Sequence, residues 1–187
     1  CSDKGKVRDI NQDAYYHLDD EQMPIFIVAD GMGGHKAGEV ASNLAISTIR
    51  DYYEKNKEKM LNEKMFIPKF MNESMEYANE VLFKKSSEDE EFNGMGTTIT
   101  MAIIFKDELY VGHVGDSRAY ILRNDELIQI TQDHSFVGEL LRIGSITKEE
   151  AFNHPKKNII NRAIGTNESV KVDVVTRELE DDDIVLL

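Results

Sequence analysis

The sequence predicts an α+β fold with helices packed on antiparallel sheets, and three observations carry that prediction. Two strand-like runs open the chain, two long stretches of helical periodicity follow, and strand-like runs then return. Elements grouped in blocks, rather than alternating one strand with one helix, favour antiparallel pairing over a parallel α/β sheet. The later runs are short, rich in Ile, Val, Thr and Tyr, and separated by Lys-Asp, Gly-Asp and Asn-Asp pairs, as in an antiparallel meander.

Taken in order, residues 14–18 and 24–29 are predicted strands around the polar turn Asp19-Asp20-Glu21-Gln22. From Ala37 to Lys59, Val40, Leu44, Ile46, Ile49, Tyr52 and Tyr53 recur at helical spacing. A second helix is expected from Ile67 to Lys84, carried by Phe70, Met71, Met75, Ala78, Val81 and Leu82. Met60, Met65, Met71 and Met75 lie on these stretches and are expected as core filler. Ser86 to Glu91 is polar and acidic and is predicted as a loop. Strands follow at Thr97–Phe105, Glu108–His113, Ser117–Leu122 and Leu127–Ile130. A short helix then runs to Ile143, with Gly144 as its stop, and Thr147-Lys148-Glu149-Glu150 has the form of a capping box. Val170–Arg177 and Ile184–Leu187 return to strand. No internal repeat or linker divides the chain, so residues 1–187 are read as one domain.

The formal charge of −13 argues against broad binding to nucleic acid or to an anionic membrane. A phosphorylated substrate stays compatible with it, because a bound cation reverses the potential locally. Cys1 is the only cysteine, which rules out an intrachain disulfide and suits a cytoplasmic protein. No apolar stretch approaches the roughly 20 residues that span a bilayer. The chain opens without an initiator Met and ends in an apolar run resembling a strand cut short, so a fragment of reduced stability is expected.

Three Asp-centred segments carry the chemistry. Ile25-Phe26-Ile27-Val28-Ala29 is an apolar run that stops at Asp30 and opens into Gly31-Met32-Gly33-Gly34. A carboxylate at a strand end suits a hard cation such as Mg²⁺ or Mn²⁺, which takes oxygen ligands and keeps several waters. A glycine beside it leaves the Gly31 carbonyl accessible; equally, Asp-Gly is a common turn pair. Arg8 and Asp13 place a guanidinium that fits phosphate oxygens near a second carboxylate, or else form a surface ion pair. Gly115-Asp116-Ser117-Arg118 sets a third aspartate between strands, where a plain hairpin turn would also serve.

Asp3-Lys4-Gly5-Lys6-Val7-Arg8 with Asn11-Gln12-Asp13, Val28 to His35, Gly94-Met95-Gly96-Thr97-Thr98, Gly112 to Arg118 and Thr131-Gln132-Asp133-His134-Ser135 occur in this order. Together they resemble the bacterial protein phosphatase 2C family of metal-dependent serine/threonine phosphatases, over essentially the whole chain. The resemblance implies two packed antiparallel sheets flanked by helices, with a binuclear metal site at one end of the sandwich. By position, Asp30 resembles the ligand bridging the metal pair, the Gly31 carbonyl a further ligand, and Asp13 the carboxylate holding metal-bound water. Arg8 matches the phosphate-binding arginine, and Asp116 the position that helps bind a third metal in bacterial members. Residues 134–165 resemble the flap beside the active site.

The chemistry so implied is hydrolysis of phosphoserine and phosphothreonine in proteins by a metal-activated water, without a protein nucleophile. The chain departs from the family at two places. Met32 stands where eukaryotic members carry a histidine read as proton donor, so no general acid is assigned. Two further metal-binding aspartates are expected beyond Leu187, making the domain C-terminally incomplete. The implied partners are phosphorylated proteins and an antagonistic serine/threonine kinase. The competing function is a noncatalytic pseudophosphatase that binds a phosphoprotein or partner. Of the histidines, His17 and His154 are expected to be exposed, His113 to pack at a strand end, and His134 to make a loop or flap contact.

Overall fold

A computed structural model describes residues 2–6, 9–34 and 36–187. Strands β1 (Asp13–Leu18) and β2 (Ile25–Met32) lead into helices α1 (Ala37–Asn62) and α2 (Phe66–Glu88). Then come β3 (Gly96–Thr97), β4 (Ile99–Phe105), β5 (Glu108–Val114), β6 (Tyr120–Arg123) and β7 (Glu126–Gln129). Helices α3 (Phe136–Arg142) and α4 (Lys148–Asn153) precede β8 (Asp173–Glu178) and β9 (Ile184–Leu186). The class is α+β, as the sequence predicts, with two antiparallel sheets. One has six strands, ordered β1-β2-β4-β5-β8 with β3 on β2, and the other is β7-β6-β9.

Alternation along the central strands separates two cores. Ile25, Ile27, Ile99, Met101 and Ile103 face α1 and α2, joining Ala41, Ala45, Ile49, Tyr53, Phe70, Met71 and Met75. The α1 positions recur every four residues, and on α2 Ile67, Met71, Met75, Ala78 and Leu82 recur every three or four, which is why each helix lays one stripe on the sheet. Tyr53 fixes the packing by donating its hydroxyl proton to the Met23 carbonyl at 2.7 Å. The opposite face of the same strands, through Ala102, Leu109 and Val111, meets Ala119, Ile121 and Ile130 in the space between the sheets. Among the described residues, no helix is long and apolar enough to cross a membrane.

Four local expectations are corrected. Helix α2 continues through Glu88 and a 3-10 turn follows at Glu90–Phe92, so the acidic stretch is helical, its N–H groups served by side chains such as Asp89. The strands after Thr97 are not one meander: β4 and β5 pair, but residues 115–119 carry the chain across to the second sheet, where β6 pairs β7 and β9. Met65 is 87% exposed because it sits at the start of α2, outside the core stripe. His154 is half-buried beside the Phe136 ring rather than exposed.

Residues 134–165 leave and rejoin the core at fixed points. The departure pairs Ser135 with Ile160, and the return pairs Ile164 with Thr97. Asn79, buried on α2, accepts from the Gly165 N–H at 2.8 Å and donates to the carbonyl of Asn167. Within the segment, Ser135 caps α3, and the capping box on α4 forms as its sequence predicts, from Thr147 and Glu150.

Candidate active site

Strand β2 does not end at Asp30 but continues through Gly31 and Met32, which pair with β3. The Asp-Gly pair is therefore extended backbone rather than a turn. Across the ladder, Asp13 stands directly opposite Asp30. The Gly31 N–H donates to the Gln12 carbonyl at 3.0 Å, so the next pair along, Asp13 with Asp30, is the non-hydrogen-bonded kind. In such pairs side chains approach most closely, with Cα atoms about 4.5 Å apart. Both residues are exposed and lie on the face that also carries Phe26, toward the second sheet.

The backbone of Asp30 is held from its other edge. Its N–H donates to Thr98 Oγ1 at 2.9 Å, and its carbonyl accepts from the Thr98 N–H at 2.9 Å. The same Thr98 hydroxyl lies 2.7 Å from Ser117 Oγ. Thr98, fully buried, thus couples the Asp30 strand to the loop that carries Asp116. Gly115 in that loop has φ +121°, and a Cβ there would come within 2.5 Å of Thr98 Cγ2, so glycine is required both by conformation and by contact.

Asp13, Asp30, Ser117 and Arg118 line one cleft of about 460 Å³. Asp116 is not among its lining residues; it is half-buried in the adjoining loop. Burial, and then the nearby Asp133 charge, push the Asp116 carboxyl above its ordinary range. Arg8 lies outside the described residues. Gly31 is buried against the first turn of α1: a Cβ there would stand 2.0 Å from the Gly38 carbonyl oxygen. Its lack of a side chain thus admits the helix.

Two opposed carboxylates on neighbouring strands repel, and a divalent cation between or beside them removes that cost. Among the described residues no cluster of three or more His, Cys, Asp or Glu forms a metal shell. A carboxylate pair open to solvent nevertheless fits Mg²⁺ or Mn²⁺, which bind through one or two carboxylates and retain water.

His113 packs at a strand end and His134 makes a loop contact, as the sequence predicts, whereas the grip of Arg118 on Asp133 is not predicted. Arg118 grips Asp133 bidentately, Nε to Oδ1 at 2.8 Å and Nη2 to Oδ2 at 2.6 Å. His113, at the end of β5, is enclosed: Nε2 donates to the Gln132 carbonyl at 3.1 Å, leaving Nδ1 to accept from Thr100 at 3.0 Å. Burial, then repulsion from His134, lower its pKa to about 4. His134 accepts the Gly115 N–H on Nδ1 at 3.0 Å and directs Nε2 to Asp173 at 3.0 Å, joining the Asp116 loop to β8. The only sequence signal for these roles was their place in motif-like segments.

The protein phosphatase 2C family model matches residues 5–173. This chain belongs to the protein phosphatase 2C family. It is 40% identical to the serine/threonine phosphatase stp of Listeria innocua serovar 6a over 188 residues, covering 100% of this chain and 73% of that relative. Its fold superposes on the structure of the S. agalactiae serine/threonine phosphatase with a TM-score of 0.87 and 38% identity, covering 98% of this chain and 74% of the other. The catalytic domain of the phosphatase PstP, solved in complex with 2 manganese ions, gives a TM-score of 0.80 at 32% identity, covering 99% of this chain and 73% of that one. The family member is a protein phosphatase, so the enzyme is favoured over the noncatalytic binding module.

Proposed function

We propose that the Asp13–Asp30 cleft is the reaction centre, and that the enzyme hydrolyses phosphoserine and phosphothreonine in proteins with a metal-activated water. The observation that carries this is the directly opposed carboxylate pair at a cleft that also holds an arginine. Asp13 and Asp30 would hold Mg²⁺ or Mn²⁺, two ions in the core of the site, with the Gly31 carbonyl as a further ligand and Asp116 helping to hold a third. The ions would supply a hydroxide-like nucleophile at neutral pH and neutralise charge on the phosphoryl oxygens. The two manganese ions bound by the PstP catalytic domain support this cofactor class.

The chain's own groups orient and select. Thr98 keeps the Asp30 backbone fixed through two hydrogen bonds, so the carboxylate position costs little reorganisation during reaction. Arg8 is proposed to grip phosphoryl oxygens in the bidentate manner that suits a guanidinium. Met32 offers no transferable proton, so this position supplies no general acid to the departing seryl or threonyl oxygen. Residues 134–165 are read as a flap on this single domain. The enzyme would act in the cytoplasm, opposing a serine/threonine kinase.

The test is hydrolysis of a phosphothreonine peptide by the intact protein with Mn²⁺ or Mg²⁺, with excess chelator, and with Asp30→Asn. Turnover that needs metal and falls at least 100-fold in the variant is expected. Undiminished turnover in chelator or in Asp30→Asn would overturn the assignment.

A further inference from the structure

A second cleft, of about 660 Å³, opens between the α3–α4 segment and the body of the molecule. It shares one wall with the carboxylate cleft, because Arg118 lines both. Its charge differs from that of the chain as a whole, which carries −13. The three carboxylates lining it are each held by an arginine. Asp133 is gripped by Arg118 at 2.6 Å, Glu139 by Arg142 at 2.6 Å, and Asp173 by Arg162 at 2.8 Å. Two lysines remain, Lys148 at the start of α4 and Lys171 just before β8. Both are exposed, and neither forms an ion pair among the described residues. The surplus is thus two positive charges, one from α4 and one from the approach to β8, in a strongly acidic protein.

We propose that this cleft receives acidic residues of the polypeptide substrate that flank the phosphorylated side chain, with Lys148 and Lys171 as the residues that select for them. The proposal rests on the Asp13–Asp30 cleft being the reaction centre, since Arg118 then stands between the phosphoryl group and the flanking residues. Because Arg118 lines both clefts, an extended substrate continuing past it passes directly into the second. There the overall negative field would repel an acidic segment unless local cations offset it. Lysines suit this role because their flexible stems reach side chains at several positions without imposing one geometry. Exposed pairs of this kind are weak singly, so two together should shift discrimination by about 3- to 10-fold and lose effect in high salt.

The experiment measures kcat/KM on phosphothreonine peptides identical except for acidic, neutral or basic flanking residues. Within each protein the acidic-to-neutral ratio is the quantity compared. The unaltered enzyme should favour the acidic peptide about 3- to 10-fold at low salt. Lys148→Glu/Lys171→Glu should abolish or invert that ratio, whereas Lys55→Glu/Lys84→Glu, equal in charge but exposed on α1 and α2, should keep it. A ratio near one in the unaltered enzyme overturns the proposal, as does a ratio lost equally in both double variants. Binding of an unphosphorylated acidic peptide, read by fluorescence anisotropy, separates the two clefts. If Asp30→Asn still hydrolyses substrate, the reaction centre is elsewhere, yet weaker peptide binding in Lys148→Glu/Lys171→Glu continues to support the acidic-segment cleft. Binding unaffected by those substitutions overturns it.

Discussion

Asp13 faces Asp30 across a non-hydrogen-bonded pair of the β1–β2 ladder, so two like charges occupy the closest side-chain approach an antiparallel sheet provides. A cation that binds the folded chain stabilises it in proportion to its affinity. Asp13→Asn removes one of the two opposed carboxylates and should therefore shrink the rise in Tm produced by saturating Mn²⁺. Calorimetry with and without metal measures that rise. A variant that keeps the full metal-induced rise contradicts a cation site built on this pair.

Much of this arrangement is legible in the sequence, but unevenly. The two long helices and most strands follow from periodicity, because each buries a single face and the pattern of apolar residues records it. The continuation of β2 through Gly31 and Met32 is not legible, since the partner that extends it, β3, lies more than sixty residues away. Locally, Asp-Gly reads as a turn. The stretch 115–118 likewise reads as a hairpin, whereas the contact of Gly115 with Thr98 sends it to the other sheet. Arg118 shows the same limit: nothing in its neighbours reveals that Asp133 will fix it between two clefts.

Thr98 is the link between the Asp30 strand and the Asp116 loop, so its hydroxyl should matter to both stability and function. Thr98→Val preserves shape and leaves the Asp30 N–H without its side-chain acceptor. An unsatisfied group of this kind costs about 1–3 kcal/mol. Urea unfolding should show that loss, and phosphatase activity should fall even where the variant remains folded. Thr98→Ser, which retains the hydroxyl, should restore most of the activity. Equal activity in Thr98→Val and the unaltered enzyme would remove Thr98 from the positioning role.

Gly31 makes a sharper prediction about packing. An alanine Cβ would stand 2.0 Å from the Gly38 carbonyl oxygen and 2.6 Å from that of Gln12, both backbone atoms that cannot swing aside. Gly31→Ala should therefore push α1 from the sheet, at a cost of at least about 1–3 kcal/mol. Gly34→Ala is the control, because its added Cβ meets nothing within 4 Å. Comparable stability of the two variants would show that α1 is not seated against Gly31.

His113 gives the pH dependence its sign. Burial, and repulsion from the His134 ring 4.7 Å away, hold its folded-state pKa at about 4, against an ordinary value of 6.5. The unfolded chain therefore takes up a proton that the folded chain refuses, and stability falls as pH drops. The loss begins below pH 6.5 and is complete near pH 4, amounting to about 3 kcal/mol at 1.36 kcal/mol per pH unit. Burial depresses His134 in the same direction and adds to the slope. Urea midpoints between pH 7.5 and 4 measure it. His113→Gln should be less stable at pH 7.5, having lost its fitted bonds to Thr100 and Gln132, but should lose less on acidification. An unchanged slope in that variant would mean that His113 takes its proton without resistance in the fold, contrary to its enclosure between β4 and the Gln132 carbonyl.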